Sequence, residues 1–123
     1  MKKLIFLIVI LFNSNCYSEE KKSTFNKDLF LKAQKEGKIV VINSWNKTCP
    51  TCAKQVVILK DAEADFKQVL FLSFEQTVDK EIAKFLEIDY WTTIVVYKNN
   101  KEVSRIIGET DKSIIYANIK KAI

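Results

Sequence analysis

Apolar positions change period along this chain, and each change marks an element. Residues 4–12 contain no polar side chain, follow Lys2 and Lys3, and run out into Asn13, Ser14, Asn15, Cys16, Tyr17 and Ser18. Over residues 24–36, Phe25, Leu29, Phe30 and Ala33 recur at helical spacing, with Ser23 and Thr24 as capping candidates and Gly37 as a stop. Residues 38–45 hold the β-branched block Ile39, Val40, Val41 and Ile42, which predicts a strand buried on both faces. Helical spacing returns over 52–66, with Cys52, Val56, Leu59, Ala62 and Phe66 inward and Lys54, Lys60, Asp61 and Asp65 toward solvent.

Residues 69–74 predict a second strand, 78–88 a short helix with Ile82, Phe85 and Leu86 inward, and 92–98 a third strand. Asn99 and Asn100 suit a hairpin turn because Asn tolerates positive φ, and residues 102–107 then pair back. Gly108 breaks that strand, and Asp111 caps a last helix with Ile115, Ile119 and Ala122 inward. The order is α-β-α-β-α-β-β-α. Strands joined through helices imply parallel neighbours, and the final hairpin implies an antiparallel pair. The expected fold is therefore α/β, with a mixed central sheet of about four strands flanked by helices.

At 123 residues and 48% hydrophobic, the chain has material for one small core. The basic start, apolar run and small polar exit read as a secretory signal. Nine helical residues rise only about 14 Å against a hydrocarbon core of about 30 Å, which argues against a spanning helix. The expected division is a signal over residues 1–18 and a folded domain over 19–123, with a lipoprotein signal ending before Cys16 as the alternative. The expected location is periplasmic or otherwise exported, with any membrane attachment through this segment or a lipid on Cys16. Net charge is +5, and +3 without residues 1–18; the lysines are dispersed, so no nucleic-acid partner is expected. The absence of His removes zinc-hydrolase motifs, Ser-His-Asp triads and Cys-His proteases.

Cys49 and Cys52 sit where the first strand gives way to a helix. There the unpaired N–H groups of the helix start stabilise a thiolate, and two intervening residues bring the second sulfur within disulfide reach. Pro50 suits the first helical turn, since it has no donor to leave unpaired. One sulfur can then attack a substrate disulfide and the other can resolve the mixed disulfide. A structural staple, a half-made metal site and a pair of inert thiols are the competing readings.

The block 39–42, Trp45 four places before Cys49, the Cys49-Pro50-Thr51-Cys52 unit, the strand 93–99 and Gly108 together resemble the thioredoxin family over residues 23–123. The resemblance implies an exposed nucleophile at Cys49, a buried resolving thiol at Cys52, and Trp45 packed beneath them. It also implies a substrate loop through Trp91, Thr92 and Thr93. Three departures stand out. Thr92 occupies the usual cis-proline position, and a non-proline cis bond costs about 2.5–4 kcal/mol, so a trans bond and a reshaped loop are expected. Asn43 stands where many relatives bury an Asp, and it cannot act as a base. Pro50-Thr51 replaces the Gly-Pro of reducing thioredoxins, while the glutathione motif of glutaredoxins and room for the helical insertion of periplasmic oxidases are both missing.

The expected function is disulfide reduction or exchange in proteins, with protein thiols and disulfides as partners and a membrane redox partner to reset the pair. Nothing in the sequence implies a small-molecule cofactor or a metal. The alternatives are an adaptor module with a permanently closed disulfide, and a metal chaperone using both thiolates.

Overall fold

Four strands and four helices alternate in the expected order: α1 (Lys27–Lys35), β1 (Val40–Trp45), α2 (Pro50–Asp65), β2 (Leu70–Glu75), α3 (Lys80–Leu86), β3 (Thr93–Lys98), β4 (Lys101–Ile107) and α4 (Lys112–Lys120). This computed structural model describes residues 23–123, so the expected signal over 1–18 and Cys16 lie outside the described residues. The strands form one mixed sheet in the order β2-β1-β3-β4.

Period-two alternation divides the strand side chains between two cores. Val40, Ile42, Leu72, Phe74 and Val95 meet α1 and α3 through Phe30, Ala33, Ala83 and Leu86. Val41, Ile94 and Val96 meet α2 and α4 through Ala62, Phe66, Ile115 and Ile119. Every residue of β1 is buried, the apolar Val40, Val41 and Ile42 as expected and the polar Asn43 and Ser44 with them. Burying one large apolar side chain stabilises the fold by about 1.5–3 kcal/mol.

The pairing departs from expectation at β3. β1 and β2 run parallel, but β3 lies antiparallel to β1 although a helix precedes it. The connection explains this. α3 has seven residues, about 10 Å of rise, too little to carry the chain back along the sheet. β3 therefore starts at the end where β1 and β2 finish. The hairpin β3–β4 is antiparallel as expected, with both turn residues, Asn99 and Asn100, at positive φ (52° and 62°).

Two local expectations at the N-terminal side are corrected. Asn26 caps α1, its Oδ1 accepting from the Leu29 N–H at 3.0 Å, and Ser23 and Thr24 do not. They run along the outer edge of β2: the N–H groups of Thr24 and Phe25 donate to the Ser73 carbonyl at 2.8 and 2.9 Å. The Ser73 N–H donates to Thr24 Oγ1 at 2.9 Å and the Glu75 N–H to Ser23 Oγ at 3.0 Å. An edge strand needs such partners more than a helix that already has a cap. With the helix starting later, its inward stripe is Phe30, Ala33 and Gln34, and Leu29 is exposed. Phe85 is likewise 40% exposed rather than inward; it lies against the rings of Phe25 and Phe30, with the Lys27 ammonium 4.3 Å from its centroid.

Candidate active site

The site grows from the end of β1. After Trp45 the chain turns through Asn46, whose Oδ1 accepts from the Thr48 N–H at 3.0 Å, and enters α2 at Cys49. Cys49 is the N-cap: its backbone is extended and its Sγ accepts from the Cys52 N–H at 3.1 Å. A sulfur thus takes the place of the usual capping oxygen. Pro50 opens the helix without an unpaired donor, and Thr51 is half-buried behind it. Cys49 and Cys52 are joined in a disulfide with their Cα atoms 5.2 Å apart. Cys49 is partly exposed, whereas Cys52 faces inward at 2% exposure.

Positive polarity concentrates around the first sulfur. The first turn of α2 holds no acidic residue, and the helix dipole points its positive end at Cys49. A cleft of about 340 Å³ opens beside the pair, lined by Trp45, Asn46, Lys47, Cys49, Cys52, Ala53 and Val56. Trp45 is buried and lines this cleft together with both cysteines.

Asn43 lies inside, on the α2 side of the sheet. Its Nδ2 is 3.3 Å from Gln55 Oε1, 3.3 Å from the Thr93 carbonyl and 3.4 Å from the Ser44 carbonyl. An Asn can donate there; an Asp could not. The expected substrate loop splits in two. Trp91 is 45% exposed, while Thr92 and Thr93 are buried, and the Thr93 hydroxyl donates to the Tyr90 carbonyl at 2.6 Å. No peptide bond among the described residues is cis, so Trp91–Thr92 is trans as expected. Thr92 has φ +62°, a conformation rare for a β-branched residue.

Periodicity did not single out Gln55. It is fully buried on the inward stripe of α2, between Cys52 and Val56, and its Nε2 reaches the Thr92 and Glu109 carbonyls at 2.9 and 3.0 Å. The available signal was a lone polar residue at helical spacing on an otherwise apolar face. Ser44 was also missed; its Oγ donates toward Gln76 Oε1 at 2.6 Å and the Tyr90 carbonyl at 3.0 Å. Among the described residues, no group of three or more His, Cys, Asp or Glu side chains is placed to hold a metal. No described helix is long and apolar enough to cross a membrane.

A dithiol pair at a helix N-terminus, on a mixed four-stranded sheet between two helical layers, defines a disulfide oxidoreductase of thioredoxin-like architecture. The family model described as thioredoxin matches residues 17–121. A thioredoxin H-type of Fagopyrum esculentum is 24% identical over 87 residues, 71% of this chain and 75% of the relative. The crystal structure of Trxlp from Edwardsiella tarda EIB202 superimposes with a TM-score of 0.73 at 24% identity, covering 77% of this chain and 94% of that one. Fasciola hepatica thioredoxin gives 0.69 at 20% identity, covering 78% and 92%. At those identities the solved structures speak for the fold; the family match speaks for descent. The chain belongs to the thioredoxin family.

Proposed function

We propose that the chain is an exported thiol–disulfide oxidoreductase that reduces or exchanges disulfides in proteins, with Cys49 attacking and Cys52 resolving. The observation that carries this reading is the pairing of an accessible sulfur at a helix N-cap with a buried one a turn later. In the reduced protein the Cys49 thiolate attacks one sulfur of a substrate disulfide. The Cys49–substrate bond forms, the substrate S–S bond breaks, and one substrate thiolate leaves. Cys52, as thiolate, then attacks Cys49 Sγ; the internal disulfide forms and the second substrate thiolate is released. Two electrons have passed from the dithiol to the substrate, and an external dithiol must return them. For an exported protein that donor is a membrane redox partner.

Supporting roles follow from position. The Cys52 N–H and the positive end of the α2 dipole face Cys49 Sγ and favour negative charge on that sulfur when the pair is reduced. Trp45 lines the cleft, Pro50 and Thr51 shape the first turn, and Trp91 offers an exposed aromatic face to the substrate chain. The N-terminal pattern of residues 1–18 supports export.

Insulin reduction by the purified protein tests the chemistry. Cys49→Ser is expected to abolish turnover, and Cys52→Ser to accumulate a mixed disulfide visible by intact mass. Turnover that survives Cys49→Ser would sink the assignment. A reduction potential below about −300 mV would instead favour a permanently closed staple. Export is tested by the mass of the protein from its native host: a start at Glu19 or a lipid on Cys16 is expected, and a retained Met1 in the cytosolic fraction contradicts it.

A further inference from the structure

Gln55 sits where the helix pattern calls for an apolar side chain. A buried amide costs free energy unless its groups are bonded, and here they are. Nε2 donates to the Thr92 carbonyl at 2.9 Å and the Glu109 carbonyl at 3.0 Å, while Oε1 accepts from Asn43 Nδ2 at 3.3 Å. The two carbonyls belong to separate turns, one before β3 and one after β4, and the Gly108 N–H joins them by donating to the Thr92 carbonyl at 3.0 Å.

Thr92 needs such fixing. At φ +62° its branched side chain is in a sparsely populated conformation that persists only when its surroundings hold it. Its N–H donates to the Ser44 carbonyl at 2.8 Å, and its carbonyl takes both the Gly108 and Gln55 donors. Gln55 is the one side chain among these donors, and it projects from α2 one turn beyond Cys52. Trp91, exposed, immediately precedes the clamped threonine in the chain.

We propose that Gln55 is a positioning residue for protein-disulfide exchange: it clamps the Thr92 and Glu109 carbonyls to the helix that carries the disulfide, so that Trp91 and the Gly108 turn form one fixed docking surface for substrate chains. This rests on the oxidoreductase reading above. A small disulfide needs only the sulfur; a protein disulfide needs the surface as well.

The test compares insulin with a small aromatic disulfide as substrates of the full-length protein. Gln55→Met, close in volume but without donors, is expected to raise KM for insulin about tenfold, equivalent to about 1.4 kcal/mol. The kcat, and kcat/KM for the small disulfide, stay within about twofold. In a Thr92→Gly background the same substitution raises KM by about threefold or less, because glycine holds positive φ without a clamp. Gln55→Asn, polar but one methylene short of both carbonyls, is the second variant and carries the same expectation should the methionine variant fail to fold. An unchanged insulin KM, or equal losses on both substrates, overturns the proposal while leaving the oxidoreductase reading intact. A wild-type protein that reduces neither substrate overturns the reading itself, and this proposal with it.

Discussion

Single residues decide what the site can and cannot do, and Asn43 shows how. Its amide donates where oxygens converge, from Gln55, Thr93 and Ser44. Asn43→Asp supplies the carboxylate found in many relatives but turns a donor into an acceptor facing acceptors. We expect a loss of about 1–3 kcal/mol in denaturant unfolding at neutral pH, smaller at acid pH where the carboxyl is protonated. Tyr97 makes a prediction at the other end of the scale. Burial pushes its hydroxyl up from 10.0 to about 12, with Glu102 and Glu87 adding to the rise and Arg105 opposing it. The native state therefore holds its proton to higher pH than the unfolded chain. That contribution is complete below pH about 10 and is lost as pH rises toward about 12. Tyr97→Phe should flatten the fall in stability across that interval; an identical alkaline limb in both proteins contradicts it. Asp111 has the opposite sign. The Ser113 hydroxyl, then the Ile114 and Ser113 N–H groups, lower its pKa, so its contribution fades as pH falls through the depressed value.

At the scale of elements, caps and periodicity were legible where one principle acted alone. β1 read as buried on both faces because the unbroken β-branched block 39–42 leads into it, and Asp111 read as the cap of α4 because nothing competed for it. α1 misled because two demands met there. Ser23 and Thr24 can cap a helix, yet the open edge of β2 used them and left Asn26 to cap. Asn26→Ala should accordingly cost about 1 kcal/mol by thermal or chemical unfolding, whereas no such helix-capping loss is expected at Ser23. The direction of β3 was illegible because it depends on how far α3 carries the chain, a length in space rather than a pattern in sequence. The site itself divided the same way. The cysteine pair stood out by spacing, while Gln55 did not, because a single polar residue on a helical face has no period to betray it.

For the whole molecule, the sheet has two edges and treats them differently. β4 exposes Lys101 and Glu102, with Arg105 paired to Glu102 at 2.7 Å, so charge keeps that edge apart from other chains. β2 is less charged, and residues 23–25 cover it instead. Thr24→Pro removes both the N–H and the hydroxyl that bind Ser73. Analytical ultracentrifugation should then show association that grows with concentration, whereas a protein that stays monomeric would mean the cover is dispensable.

The two tryptophans report on different things. Trp45 is 3% exposed and lines the cleft with both sulfurs, whereas Trp91 is 45% exposed on the loop beyond. A collisional quencher such as iodide reaches the second indole and not the first. The emission that survives iodide therefore comes from the neighbourhood of the disulfide, and the emission that iodide removes comes from the surface a partner would cover. A single fluorescence titration can follow electron transfer and docking as separate signals, without any label added to the chain.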